Sequence, residues 1–168
     1  MVKKGFSIVD MVVSIGILIV ITGAVVANFR AGQRNDSVRQ AVNIAESLLR
    51  KAQTMSASGA LMENGSFPQG GYGVRFGIDD YNTIVLFADL NGNRVYDSGE
   101  EIDLEPLPGS AFFLLDENLD VVFPQALSSA YFNGAENPYF ISIEFSAENT
   151  DITKNLIIYR VSGQIRVE

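Results

Sequence analysis

Polar and apolar positions fall into three successive regimes along the chain. From Met11 to Ala27 no residue is charged, and across Phe6 to Phe29 the only ionisable side chain is Asp10. A membrane-spanning helix needs about 20 apolar residues, so this run is long enough. Gly16 and Gly23 interrupt it with small residues of the kind that mark close helix packing. In the second regime the apolar positions are Val38, Ala41, Val42, Ala45, Leu48, Leu49, Ala52 and Met55. Spacings of three and four residues define one face of an amphipathic helix. Arg39, Glu46, Arg50 and Lys51 lie mostly off that face. No proline interrupts Phe6 to Ser58. The pattern therefore predicts one helix from about Phe6 to Ala57, about 78 Å long at 1.5 Å per residue. Gly32 and the polar Gln33-Arg34-Asn35 mark where it is expected to bend or unwind.

The third regime begins after Ser58–Gly71, a stretch rich in Gly, Ser and Asn that contains Pro68 and reads as a loop. Strand-like runs follow at Tyr72–Phe76, Thr83–Ala88, Ile102–Leu104, Ala111–Leu115, Val121–Phe123, Tyr139–Phe145 and Leu156–Val161. Gln164–Val167 then closes a terminal hairpin over the Ser162-Gly163 turn. Tyr139, Ile141, Ile143 and Phe145 alternate onto one face. Helix first and strands afterwards predict an α+β fold, with a long N-terminal helix packed on an antiparallel β-sheet head.

Composition narrows the chemistry. With 168 residues the chain suits one ordinary domain beyond its apolar segment. It has 20 acids and 12 bases, a net charge of −8, which argues against general nucleic-acid binding. There is no histidine and no cysteine. That excludes histidine-based nucleophile triads and thiolate metal sites. No Gly-rich phosphate loop is present. Nothing supplies a catalytic constellation, so no enzyme activity is expected.

The apolar run has three readings: a plain membrane anchor, a secretory signal with Val25-Val26-Ala27 at its cleavage site, or something that uses Asp10. An acid costs about 2.5–3.5 kcal/mol at the centre of a spanning helix, and less near its end. The first two readings give that cost no purpose. Gly5-Phe6-Ser7-Ile8-Val9-Asp10, directly before the apolar run, resembles the class III signal of the type IV pilin and pseudopilin superfamily. The resemblance implies a leader of residues 1–5, removed by a prepilin peptidase that cuts after Gly5 and methylates the new N-terminal Phe6. It implies a transmembrane and filament-core helix over 6–29, an amphipathic helix of the head over 30–57, and a β-rich head over 58–168. It places Asp10 at the family's acidic position, usually Glu, where it would pair with the N-terminal amine of a neighbouring subunit. The head resembles the H-type minor pseudopilin of type II secretion and its minor-pilin relatives. The residues that carry this are Arg50-Lys51-Ala52-Gln53, Phe87-Ala88-Asp89-Leu90-Asn91-Gly92-Asn93 and the Ile157–Ile165 hairpin. The implied function is a filament subunit. Its partners would be the peptidase, other subunits and the bacterial inner membrane, with the head on the outer side. A pilus-associated adhesin or DNA receptor is the alternative.

One loop invites a metal reading. From Asp89 to Glu100 the oxygen-bearing residues are spaced as in a twelve-residue EF-hand loop. Asp89, Asn91 and Asn93 take the first, third and fifth places, the Val95 carbonyl the seventh, Asp97 the ninth and Glu100 the twelfth. Arg94 stands where such loops carry glycine. The same residues also make a metal-free polar turn between strands. No cofactor is required by this reading, and Ca²⁺ is the one candidate. Asp116, Glu117 and Asp120 read as a solvated turn, Tyr131 and Phe132 as a loop capping the core, and Arg166 as a solvated strand end.

Overall fold

A computed structural model describes residues 8–125 and 129–168. It contains helix α1 (Ile8–Ser58) and nine strands: β1 (Gly71–Phe76), β2 (Thr83–Asp89), β3 (Glu101–Pro106), β4 (Ala111–Leu114), β5 (Leu119–Phe123), β6 (Tyr131–Phe132), β7 (Phe140–Ala147), β8 (Lys154–Tyr159) and β9 (Ile165–Val167). The fold is α+β. By contacts the chain divides into two compact units, Met1–Gln33 and Arg34–Glu168. Residues 32–35 are helical, so the expected unwinding there is not seen.

The head, Arg34–Glu168, is built on the amphipathic half of α1. Val38, Ala41, Val42, Ala45, Leu48, Leu49 and Ala52 are all buried, as their spacing predicts, and Met55 packs at the margin. The helix ends in a Schellman motif. Gly59 has φ of 64°, its N–H bonds to the Ser56 carbonyl, and the Ala60 N–H reaches back to Met55 at 2.9 Å. The buried Ser56 hydroxyl donates to the Phe123 carbonyl and accepts the Tyr72 N–H at 2.9 Å. One hydroxyl thereby fixes the helix end to β1 and β5.

The strands form two antiparallel sheets where the sequence pattern suggested one. Five run in the order β3-β2-β1-β5-β6 and four in the order β4-β7-β8-β9. Phe76 of the first sheet meets Phe113 and Phe145 of the second, with ring centroids 5.4 and 6.5 Å apart. These edge-to-face contacts join the sheets in a single core. Ile102 is an extra residue in β3: Asp103 pairs with Leu86 and Glu101 with Phe87. Strand β6 was not expected. It is only two residues long, and buried Tyr131 and Phe132 pair with Val122 and Val121. In β7 the predicted alternation holds, but its face outruns the core. Ile143 and Phe145 are fully buried while Tyr139, just before the strand, is 73% exposed.

Candidate functional sites

The apolar half of α1 is the first candidate. Ile8–Val26 is a 19-residue stretch long and apolar enough to cross a membrane, and none of it is buried within the chain. At 1.5 Å per residue it spans about 28 Å, close to the hydrocarbon thickness of a bilayer. Asp10 lies in the first turn of the helix, where the macrodipole favours negative charge. The Ser14 hydroxyl donates to the Asp10 carbonyl at 2.7 Å, so that polar group is satisfied within the helix. Gly16 and Gly23 have no neighbours within 4 Å of an added Cβ, so their surfaces are open to close packing. Gly5 and Phe6 lie outside the described residues.

The Asp89–Glu100 loop is the second. All six residues singled out for calcium, Asp89, Asn91, Asn93, Val95, Asp97 and Glu100, come together here, and side-chain oxygens of five of them already accept hydrogen bonds. Fully buried Asp89 accepts the Gly92 N–H through Oδ1 and the Arg94 N–H through Oδ2, each at 2.7 Å. Glu100, also buried, accepts Leu90 N–H at 2.8 Å and Asp97 N–H at 2.9 Å through its two oxygens. Asn91 and Asn93 accept the Asn93 and Val95 N–H groups through their carbonyl oxygens. Both amides then donate to Asp97 Oδ2, at 2.7 and 2.9 Å.

Arg94 adopts φ of 63°, making the sharp turn that glycine makes in EF-hands. Its guanidinium lies 3.8 Å over the Tyr131 ring. Calcium needs about six to eight oxygens turned to one centre. Here backbone N–H groups bond to Asp89, Asn91, Asn93 and Glu100, and among the described residues no group of three or more acids is arranged to hold an ion. As folded, the loop is stapled by its own backbone.

A third cluster departs from the sequence reading. Asp116 and Glu117 are solvated, but Asp120 lies in β5 with only 2% exposure. Its carboxylate meets Arg75 at 3.3 Å and accepts the Tyr96 N–H at 3.1 Å. Burial pushes the Asp120 pKa up, opposed by the Tyr96 N–H and the Arg75 charge. Arg75 also lies 4.8 Å from the Tyr96 ring centre, and Tyr96 packs edge-on against Phe87. The cluster pins the 90–100 loop to the five-stranded sheet. Glu101 has its pKa lowered by its own backbone N–H, then by the Gly99 N–H and the Tyr96 hydroxyl. The Tyr96 pKa is raised, by burial first and by Glu101 next.

Sequence reasoning also missed a surface aromatic group. Tyr139 and Phe140 are 73% and 54% exposed. Phe140 lies 6.1 Å from Tyr159, and the Arg160 guanidinium 5.9 Å from the Tyr139 ring. The consecutive Tyr-Phe after Pro138 was its only signal. At the terminal hairpin, Arg166 is paired with Glu168 at 3.1 Å. No family model, no curated protein and no solved structure matches the chain.

Proposed function

We propose that this chain is a structural subunit, a minor pilin or pseudopilin, of a type IV pilus or type II secretion-like filament. Prepilin peptidase cuts after Gly5 and methylates Phe6. The apolar half of α1 holds the chain in the inner membrane with the head on the outer side. The same half then packs against other subunits, with Asp10 pairing to a neighbour's N-terminal amine. What supports this reading is one observation: a helix whose apolar half has no cover within the chain and whose amphipathic half carries an α+β head. Gly5, Phe6 and Asp10 stand where such a subunit needs them. The test is mass spectrometry of the mature protein. N-methyl-Phe6 at the terminus is expected; a start at Asn28 would sink the proposal.

The exposed Tyr139–Phe140 pair beside Arg160 favours a second reading, a pilus-associated binding module. On that reading Phe140→Ser leaves assembly intact and abolishes adhesion. Unchanged adhesion removes this alternative.

A further inference from the structure

The head carries a knob and a hollow whose chemistries match. The knob is the turn that follows α1. The Met62 N–H bonds to the Ser66 carbonyl and the Gly65 N–H to the Met62 carbonyl, both at 2.9 Å. Asn64 Oδ1 accepts both the N–H and the hydroxyl of Ser66. The Tyr72 hydroxyl holds the base of the turn through the Ala60 carbonyl at 2.8 Å. The turn is thus pre-organised, which lowers the entropic cost of docking it. It presents Leu61, 65% exposed, and exposed Glu63.

The hollow has a volume of about 290 Å³ and is lined by Arg39, Val42, Asn43, Lys154 and Val167. Two bases flank two valines, and no acid lines it. Neither Arg39 nor Lys154 is ion-paired among the described residues, and neither is Glu63. Arg39 and Met55 are 16 residues apart in α1, so the hollow and the base of the knob are separated by about 24 Å along the helix. They therefore lie toward opposite ends of the head's helix.

We propose that the Leu61–Glu63 turn of one copy seats in the Arg39–Lys154 hollow of the next. Leu61 covers Val167 above the already buried Val42, and Glu63 lies between the two bases. The contact rests on the filament reading and adds the head-to-head register to it. A surface that docks into a different surface of the same chain is heterologous, and repeated along the helix direction it builds a filament. Cleavage after Gly5 removes Lys3 and Lys4, so mature copies carry 20 acids and 10 bases and repel overall; a local acid–base pair specifies register, while the apolar helices supply most of the affinity.

The chain has no cysteine, so Glu63→Cys and Lys154→Cys introduce unique thiols. The full chain is oxidised in membranes and in detergent micelles. The double variant is expected to give a ladder of disulfide-linked oligomers, and each single variant dimers at most. In filaments, Glu63→Lys should lower yield several-fold, and adding Lys154→Glu should restore it. Melting temperature serves as the folding control for these surface variants.

Filaments forming normally while the double-cysteine chain gives no ladder would overturn the contact. So would filament yield left unchanged by Glu63→Lys and by Lys154→Glu, which would leave the hollow without Glu63 as its occupant. A ladder from a chain that never forms filaments would uphold the contact and remove the filament reading. Loss of both ladder and filaments counts against both.

Discussion

The self-stapled loop makes a sharp prediction at Glu100. Its two carboxylate oxygens take the Leu90 and Asp97 N–H groups at 2.8 and 2.9 Å, in a residue that is almost wholly buried. A hydrogen bond to a charged group contributes about 1.5–3 kcal/mol. Glu100→Gln keeps one acceptor and turns an amide NH₂ toward the other N–H. One bond is lost and one donor left facing a donor, for a cost of about 3 kcal/mol. In a domain of this size that lowers Tm by about 10 °C. The assay is thermal unfolding of the head fragment 34–168, which contains every residue of the buried core. It is run in EDTA and again in millimolar calcium. If the backbone holds the loop, the loss is the same in both buffers, and wild-type Tm does not respond to calcium. A wild-type Tm that rises with calcium, with a Glu100→Gln deficit present only when calcium is added, would refute the reasoning and restore the metal reading.

Phe113→Ala removes the ring that meets Phe76 and Phe145, and should cost about 3–5 kcal/mol in denaturant unfolding. Phe140→Ser on the surface should change stability by less than about 0.5 kcal/mol. Asp120 gives a pH test. Its folded pKa is raised by burial, so the native state binds its proton more tightly than the unfolded chain does. Its contribution is full below the ordinary carboxylate pKa and is lost as pH rises through the raised value. The stability advantage of wild type over Asp120→Asn should therefore shrink as pH rises above the ordinary carboxylate range; a widening gap would mean a lowered pKa. On the filament reading, Asp10→Glu should assemble at least as well as wild type, and Asp10→Ala should stay membrane-bound with lower filament yield in sheared fractions.

What was legible in the sequence was local. The seven buried positions from Val38 to Ala52 repeat every three or four residues, so their common face needs no knowledge of what covers it. Eight of the nine strands show as apolar runs between turn residues. The ninth, Tyr131–Phe132, is too short to alternate and exists through its pairing with Val121 and Val122. Asp120 follows the acids Asp116 and Glu117 and looks like them. Only the β1–β5 register, which sets it opposite Arg75, makes it a buried partner. The division into two sheets is hidden for the same reason, because strand pairing joins residues distant in sequence. The hydrogen bonding of the Asp89–Glu100 loop was hidden in another way. Its acceptors are written in the side chains, but the donors that fill them are backbone N–H groups, whose directions depend on φ at Gly92 and Arg94.

The apolar half of α1 forces a conclusion about surroundings before any question of family. Fourteen large apolar side chains from Ile8 to Phe29 are exposed on the isolated chain. Burying each is worth about 1.5–3 kcal/mol, so leaving them in water forgoes ~20–40 kcal/mol. That exceeds the whole folding stability of an ordinary domain, about 5–15 kcal/mol. This surface is long and apolar enough to be covered by a membrane, and copies of the helix are the cover that the filament reading offers. Asp10 discriminates between the two covers. In lipid it adds at most about 2.5–3.5 kcal/mol against insertion, too little to oppose the apolar gain. Among packed helices a neighbour's amine can neutralise it, and the same residue then favours assembly over dispersal in the membrane. An anchor tolerates Asp10, whereas a filament uses it.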